Sequence, residues 1–228
     1  MKRSLIVLTL ISGLAAPASA ASIFFDTPYG PVAVGATPFT VPLPKFDPAL
    51  GTLTKVTLTL DAETSAGSIA FDNEAASSSD VDLGIGAEVT ATGPGTLAVT
   101  AIPLQVGAGT VDGDNDGAAD FIGTDAFSVA GGSGADSDMD MSTLPATLAL
   151  FIAGFLGETF DTTIDPDVET FLSTSGGFGP IDPVPGVTEG TVTVTYEFTP
   201  IPEPGTLALA GIGAILLGLI GYRRRNRK

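Results

Sequence analysis

Glycine and proline punctuate this chain so densely that helices of ordinary length have little room. The 228 residues include 29 Gly and 17 Pro, roughly a fifth of the total. Glycine supplies unusual backbone angles and proline removes a donor, so both end helices and build turns. Between these breaks the pattern is one of alternation. In residues 55–61, Val56, Leu58 and Leu60 alternate with Thr57, Thr59 and Asp61. In residues 191–198, Val192, Val194, Tyr196 and Phe198 alternate with threonine and glutamate. Side chains of a strand alternate between faces, so each segment predicts a strand with one buried face. Shorter candidates are 68–71, 81–85, 88–92, 96–102, 126–130, 147–153, 158–164 and 168–173, separated by Gly, Pro, Asn and Asp. Residues 148–156 are apolar nearly throughout and also suit a short helix. About ten short strands without a clear amphipathic helix predict an all-β domain, an antiparallel β-sandwich.

Charge narrows the partners. All 26 acidic residues lie between positions 21 and 222, where only Lys45 and Lys55 are basic, a formal charge of −24. Binding nucleic acid requires clustered Lys and Arg, so nucleic acid is excluded as a partner. Such a surface resists self-association and attracts divalent cations or cationic partners. The chain has no Cys, His or Trp. Disulfides, thiolate chemistry, Cys/His zinc sites and the usual serine or cysteine triads are therefore ruled out.

The two ends read as targeting segments. Lys2 and Arg3 precede a short apolar run, and Ala18-Ser19-Ala20 supplies the small residues that a signal peptidase tests. Residues 1–20 are predicted to be a secretory signal, cut after Ala20. A buried helix or an uncleaved anchor is the alternative, but the run is short for a membrane span. At the other end, residues 207–222 carry no charge. As a helix they would be roughly 24 Å long, somewhat under the ~30 Å hydrocarbon core. Snorkelling and local thinning absorb such a mismatch. Arg223, Arg224, Arg225, Arg227 and Lys228 follow at once, which predicts a cytoplasmic tail (223–228) and an outward domain (21–200). Ala210, Ala214 and Gly218 put small side chains on one helix face, which suits helix contact but is also common in membrane helices.

Pro202-Glu203-Pro204 stands just before this helix, and its prolines keep the strip extended and accessible. Tripeptide, apolar span and arginine cluster together, PEPGTLALAGIGAILLGLIGYRRRNRK, resemble the PEP-CTERM sorting signal of Gram-negative bacteria. The resemblance covers 27 residues, with 201–228 as the sorting segment, and implies handling by an exosortase, a membrane protease or transpeptidase that cuts near the tripeptide. It also implies an inner-membrane precursor, a mature form at the cell surface or outside, and company with exopolysaccharide and biofilm. The block FDPALGTLTKVTLTLD, residues 46–61, resembles the opening of exported choice-of-anchor domains, type E in particular. That family has no established activity, so no catalytic residue is implied.

One local motif carries chemistry. Asp112, Asp114 and Asp116 occupy positions 1, 3 and 5 of a calcium loop, Gly117 position 6 and Asp120 position 9. Position 12 is Gly123 rather than glutamate, so an EF-hand is not expected and a shorter loop is. The competing account is a solvated acidic turn. Asp136, Asp138 and Asp140 would add carboxylates from a neighbouring loop, or form a charged linker beside Gly131-Gly132-Ser133-Gly134. No nucleophile–base constellation is visible, so no catalysis is expected. The expected role is a structural surface protein, with extracellular polysaccharide as partner and calcium as the one candidate cofactor. A carbohydrate-binding or adhesin module is the first alternative and a polysaccharide-acting enzyme the second.

Overall fold

The computed structural model describes residues 20–114, 117–201, 211–217 and 222. Among the described residues, twelve strands form three antiparallel sheets. The first sheet orders β1 (Ala21–Ala33), β12 (Val187–Pro200), β3 (Gly51–Ser65) and β9 (Ser133–Ser142). The second orders β2 (Phe39–Pro44), β10 (Thr159–Thr174), β5 (Ser79–Thr92) and β6 (Ala98–Ala101), with β7 (Leu104–Val111) also on β5. The third, β11 (Ile181–Val184), β4 (Ser68–Asp72) and β8 (Ala126–Ala130), lies at the far end.

The alternation in β3 and β12 orients both strands as expected. Val56, Leu58, Leu60, Val192, Val194 and Tyr196 are fully buried against Leu43, Val89, Ala91 and Ile164 of the second sheet. A bulge explains why the inward residues Leu53 and Val56 are three apart. Phe198 pairs with Leu53 and Glu197 with Lys55, leaving Thr54 as the extra residue. Tyr196 sits at the centre of this core. Its ring meets Phe25, Phe46 and Phe151 edge-on, and its hydroxyl donates to the Pro44 carbonyl at 2.8 Å.

A second, smaller core lies beyond the first. Val81, Leu83 and Ile85 of β5 pack with Ile69, Phe71, Val111 and Val129. β5 and β10 each run the length of both layers, which are thereby one body. The third sheet approaches β7 closely because β7 offers Gly107 and Gly109. A Cβ at Gly107 would stand 2.6 Å from Val129, and one at Gly109 would stand 2.5 Å from the Phe127 ring.

Several expectations are corrected. Two strands, β1 and β2, lie ahead of β3 in a stretch where no strand was expected. Candidates 81–85 and 88–92 are one strand, as are 158–164 and 168–173. Residues 147–153 are not a strand: α1 (Pro145–Leu148) and a 3-10 turn, Ala149–Phe151, occupy them, with Pro145 opening the helix. Asp136, Asp138 and Asp140 are not on a loop. They lie in β9 opposite Ala62, Leu60 and Leu58, on the face turned toward the second sheet. Their carboxylates accept from the free N–H groups of Ile102 (2.7 Å), Thr100 (3.3 Å) and Ala98 (3.3 Å). Those donors lie along the edge of β6, so the three aspartates clasp the open side of the sandwich. At the opposite side Thr27 Oγ1 donates to the Pro42 carbonyl at 3.0 Å.

A hydrogen bond to a charged partner contributes about 1.5–3 kcal/mol when short, and exposure lowers that. Asp136→Ala is therefore expected to destabilise by about 1–2 kcal/mol on that principle, and the other two substitutions by less. In the triple variant, hydrogen exchange at Ala98, Thr100 and Ile102 should quicken while that of Val192 and Val194 stays slow. Unchanged exchange at all three amides would contradict the clasp.

Candidate functional site

The sites expected at the chain ends fall largely outside the described residues: Ala18, Pro202, Glu203, Pro204, Arg223, Arg224 and Arg225 all do. The domain meets both ends in an ordered way. Ala20 is exposed and β1 starts at Ala21. β12 ends at Pro200, and the Ile201 N–H donates to the Leu50 carbonyl at 3.3 Å. Both expected cuts thus fall just outside the pairing of β1 with β12, which begins at Ala21 opposite Phe198. Residues 211–217 are helical, with Ile212, Ile215, Leu216 and Leu217 exposed. Among the described residues no helix is long and apolar enough to cross a membrane.

The acidic loop is built from the far end of the sandwich. Asp112 leaves β7 with its N–H on the Thr124 carbonyl (2.8 Å), and the Asp114 N–H donates to Ala75 (2.7 Å). Gly117 has a φ of 71°, the turn its position in a calcium loop demands, and donates its N–H to Asp114 Oδ1 at 2.7 Å. Asp120 Oδ1 accepts from the Ile122 N–H at 3.0 Å. Asp116 lies outside the described residues. Among the described residues, no three His, Cys, Asp or Glu side chains are grouped to hold a metal ion. Asp136, Asp138 and Asp140 are committed to β6 instead.

The loop's support was not expected from the sequence. Asp72, buried at the end of β4, accepts the Phe121 N–H at 2.7 Å. Asn73, fully buried, donates through Nδ2 to the carbonyls of Ser77 (3.0 Å) and Asp112 (2.8 Å). A polar Asp-Asn pair directly after the apolar strand Ile69–Phe71 was the available signal, since buried polar side chains are held by hydrogen bonds.

An open groove of about 710 Å³ crosses the outer face of the first sheet. Asp61, Glu63 and Glu189 line it with Ser137 and Thr191. Glu63 and Glu189 are direct cross-strand partners, an arrangement that disfavours folding unless a cation or solvent screens it. The groove is therefore an anionic surface with hydroxyl groups beside it.

Residues 200–226 match the PEP-CTERM protein-sorting motif. No curated protein and no solved structure matches the chain. The motif marks the chain for export, for a membrane-anchored precursor, and for processing by an exosortase that sorts it to the cell surface.

Proposed function

We propose that this chain is a structural component of the cell surface or extracellular matrix: a strongly acidic β-sandwich released by tail processing and associated with exopolysaccharide. The observation that carries this is the sorting motif placed directly after the last strand. Removing residues 1–20 and the chain from Pro202 on leaves 25 acidic and two basic side chains, a formal −23. The two lysines are themselves engaged: Lys45 with Glu158 at 2.6 Å, and Lys55 with Glu197 at 2.5 Å. We propose no catalysis, because a chain without His or Cys lacks the usual nucleophile–base pairs. The domain is taken as a choice-of-anchor module of the type E kind, on the block that runs from Phe46 into β3.

Calcium would act in this role as a bridge between the acidic domain and anionic polysaccharide. Support comes from the spacing of Asp112, Asp114, Asp116 and Asp120 and from the positive φ of Gly117. Extracellular loops of this kind bind weakly, at about 10⁻⁴–10⁻³ M. Titration of the domain with calcium is expected to raise its unfolding temperature in that range. Asp112→Ala with Asp114→Ala should abolish the rise; an equal rise in the double variant would remove the loop from the account. A glycan array tests the carbohydrate-binding alternative, which the groove at Asp61 and Glu189 favours.

A further inference from the structure

The strands give the domain two distinct ends. β3 runs from Gly51, beside Pro200, to Ser65, beside Val187. β10 runs from Thr159, beside Pro44, to Thr174. One end therefore holds residues 44–51, 144–158 and 198–201, and the other holds the third sheet and the acidic loop.

The end at which the chain leaves the domain is apolar. Leu156 is 88 % exposed, Phe155 69 % and Ile201 58 %, with Leu50, Leu150 and Ile152 also exposed. Backbone bonds tie these residues into one surface. Phe46 receives Ala153 and donates to Phe151, Lys45 donates to Glu158, and Leu50 receives Ile201. The turn 154–157 is fixed as well. Glu158 accepts from Gly154 at 2.6 Å, and its carboxyl is held low first by Lys45 and then by this N–H. These bonds fix the backbone from which the large apolar side chains project into water.

The occupant follows from the tether and from charge. The apolar segment begins at Leu207, six residue steps beyond Ile201. A chain of that length spans at most about 20 Å. While the precursor is held by that segment, Ile201 cannot stand further than this from its point of entry into the bilayer. Charge sets the same orientation. Both lysines of the domain lie toward this end, each neutralising a glutamate. Asp72, Asp112, Asp114 and Asp120 lie at the other end, where an anionic lipid surface would repel them least.

We infer that this end of the sandwich, with Phe155 and Leu156 foremost, rests on the phospholipid bilayer while the precursor is membrane-held. The inference rests on the membrane-anchored precursor for which the sorting motif marks the chain. Docking would hold the strip at residues 202–204 at the membrane surface, within reach of a membrane enzyme.

The chain has no native cysteine, so single labels are unambiguous. Full-length Leu156→Cys, Ile122→Cys and Ile212→Cys proteins would carry an environment-sensitive fluorophore and be reconstituted into vesicles of phosphatidylcholine with phosphatidylglycerol as the anionic lipid. A lipid-borne nitroxide should quench positions 212 and 156 several-fold more than 122, and aqueous iodide should do the reverse. Quenching at 212 alone would overturn docking and leave the membrane hold intact. No lipid quenching at 212 would overturn the membrane hold and docking with it. Equal lipid quenching at 156 and 122 would overturn the choice of this end. Protection of 156 from iodide without lipid quenching would mean cover by another protein or a second copy, and would overturn the lipid assignment.

Discussion

Tyr196→Ala is expected to lower the stability of the domain by about 3–5 kcal/mol, the usual range for truncating a large buried aromatic. The side chain is fully buried, meets three other rings, and is the donor to the Pro44 carbonyl. Truncation leaves a cavity between the two main sheets and an unpaired carbonyl at the end of β2. For a domain of this size the unfolding temperature should fall by about 10 °C or more. Tyr196→Phe keeps the ring and loses only the hydrogen bond, so about 1 kcal/mol is expected. The two variants separate packing from hydrogen bonding by thermal or urea unfolding. Similar losses in both would contradict a core organised around this ring.

The same residue sets an alkaline limit. Burial pushes the Tyr196 phenol well above its ordinary value. An unfolded tyrosine ionises near pH 10, by the ordinary value for that side chain. The neutral phenol's contribution is complete below that pH and is lost as pH rises toward the folded value. Stability should decline above about pH 10 on this linkage, and less steeply in Tyr196→Phe.

The second large effect concerns processing. Replacing Pro202, Glu203 and Pro204 by alanine is expected to leave a full-length precursor in the membrane and remove the processed surface form. Replacing Arg223, Arg224, Arg225, Arg227 and Lys228 by glutamate should instead disturb the membrane hold, because basic residues fix the cytoplasmic side. Fractionation and immunoblotting distinguish the two outcomes. Neither change should alter unfolding of the domain, since its last strand ends at Pro200. Normal surface processing in the first variant would contradict a sorting role for the tripeptide.

The sequence disclosed those parts of the fold where burial and polarity agree. β3 and β12 were legible because Val56, Leu58, Val192 and Val194 alternate with threonine, and threonine suits both strand and water. β9 was hidden because its inward residues are Asp136, Asp138 and Asp140, placed where a strand usually turns apolar groups. Inward charge at a sheet edge is a means of closing that edge, and it reverses the pattern on which strand recognition depends. β2 was hidden by Pro42 and Pro44, which an edge strand tolerates. β1 was hidden by Ile23, Phe24 and Phe25, which are apolar on both faces and erase alternation; Phe24 is left exposed.

The sites divide in the same manner. The sorting motif is legible because it is linear: an accessible strip, an apolar run and a basic cluster act in chain order. The acidic loop's ligand positions are also linear. Its buried support, Asp72 and Asn73, is brought to it from another strand, and no local spacing announces that meeting. The apolar end near Ile201 is likewise assembled from three distant segments.

Mass spectrometry of the mature surface protein reads both chain ends at once. The expected species starts at Ala21 and ends close to Pro202, lacking residues 223–228 and retaining the strongly acidic sandwich whole. A surface form that keeps Arg223, Arg224 and Arg225 would contradict release by tail processing.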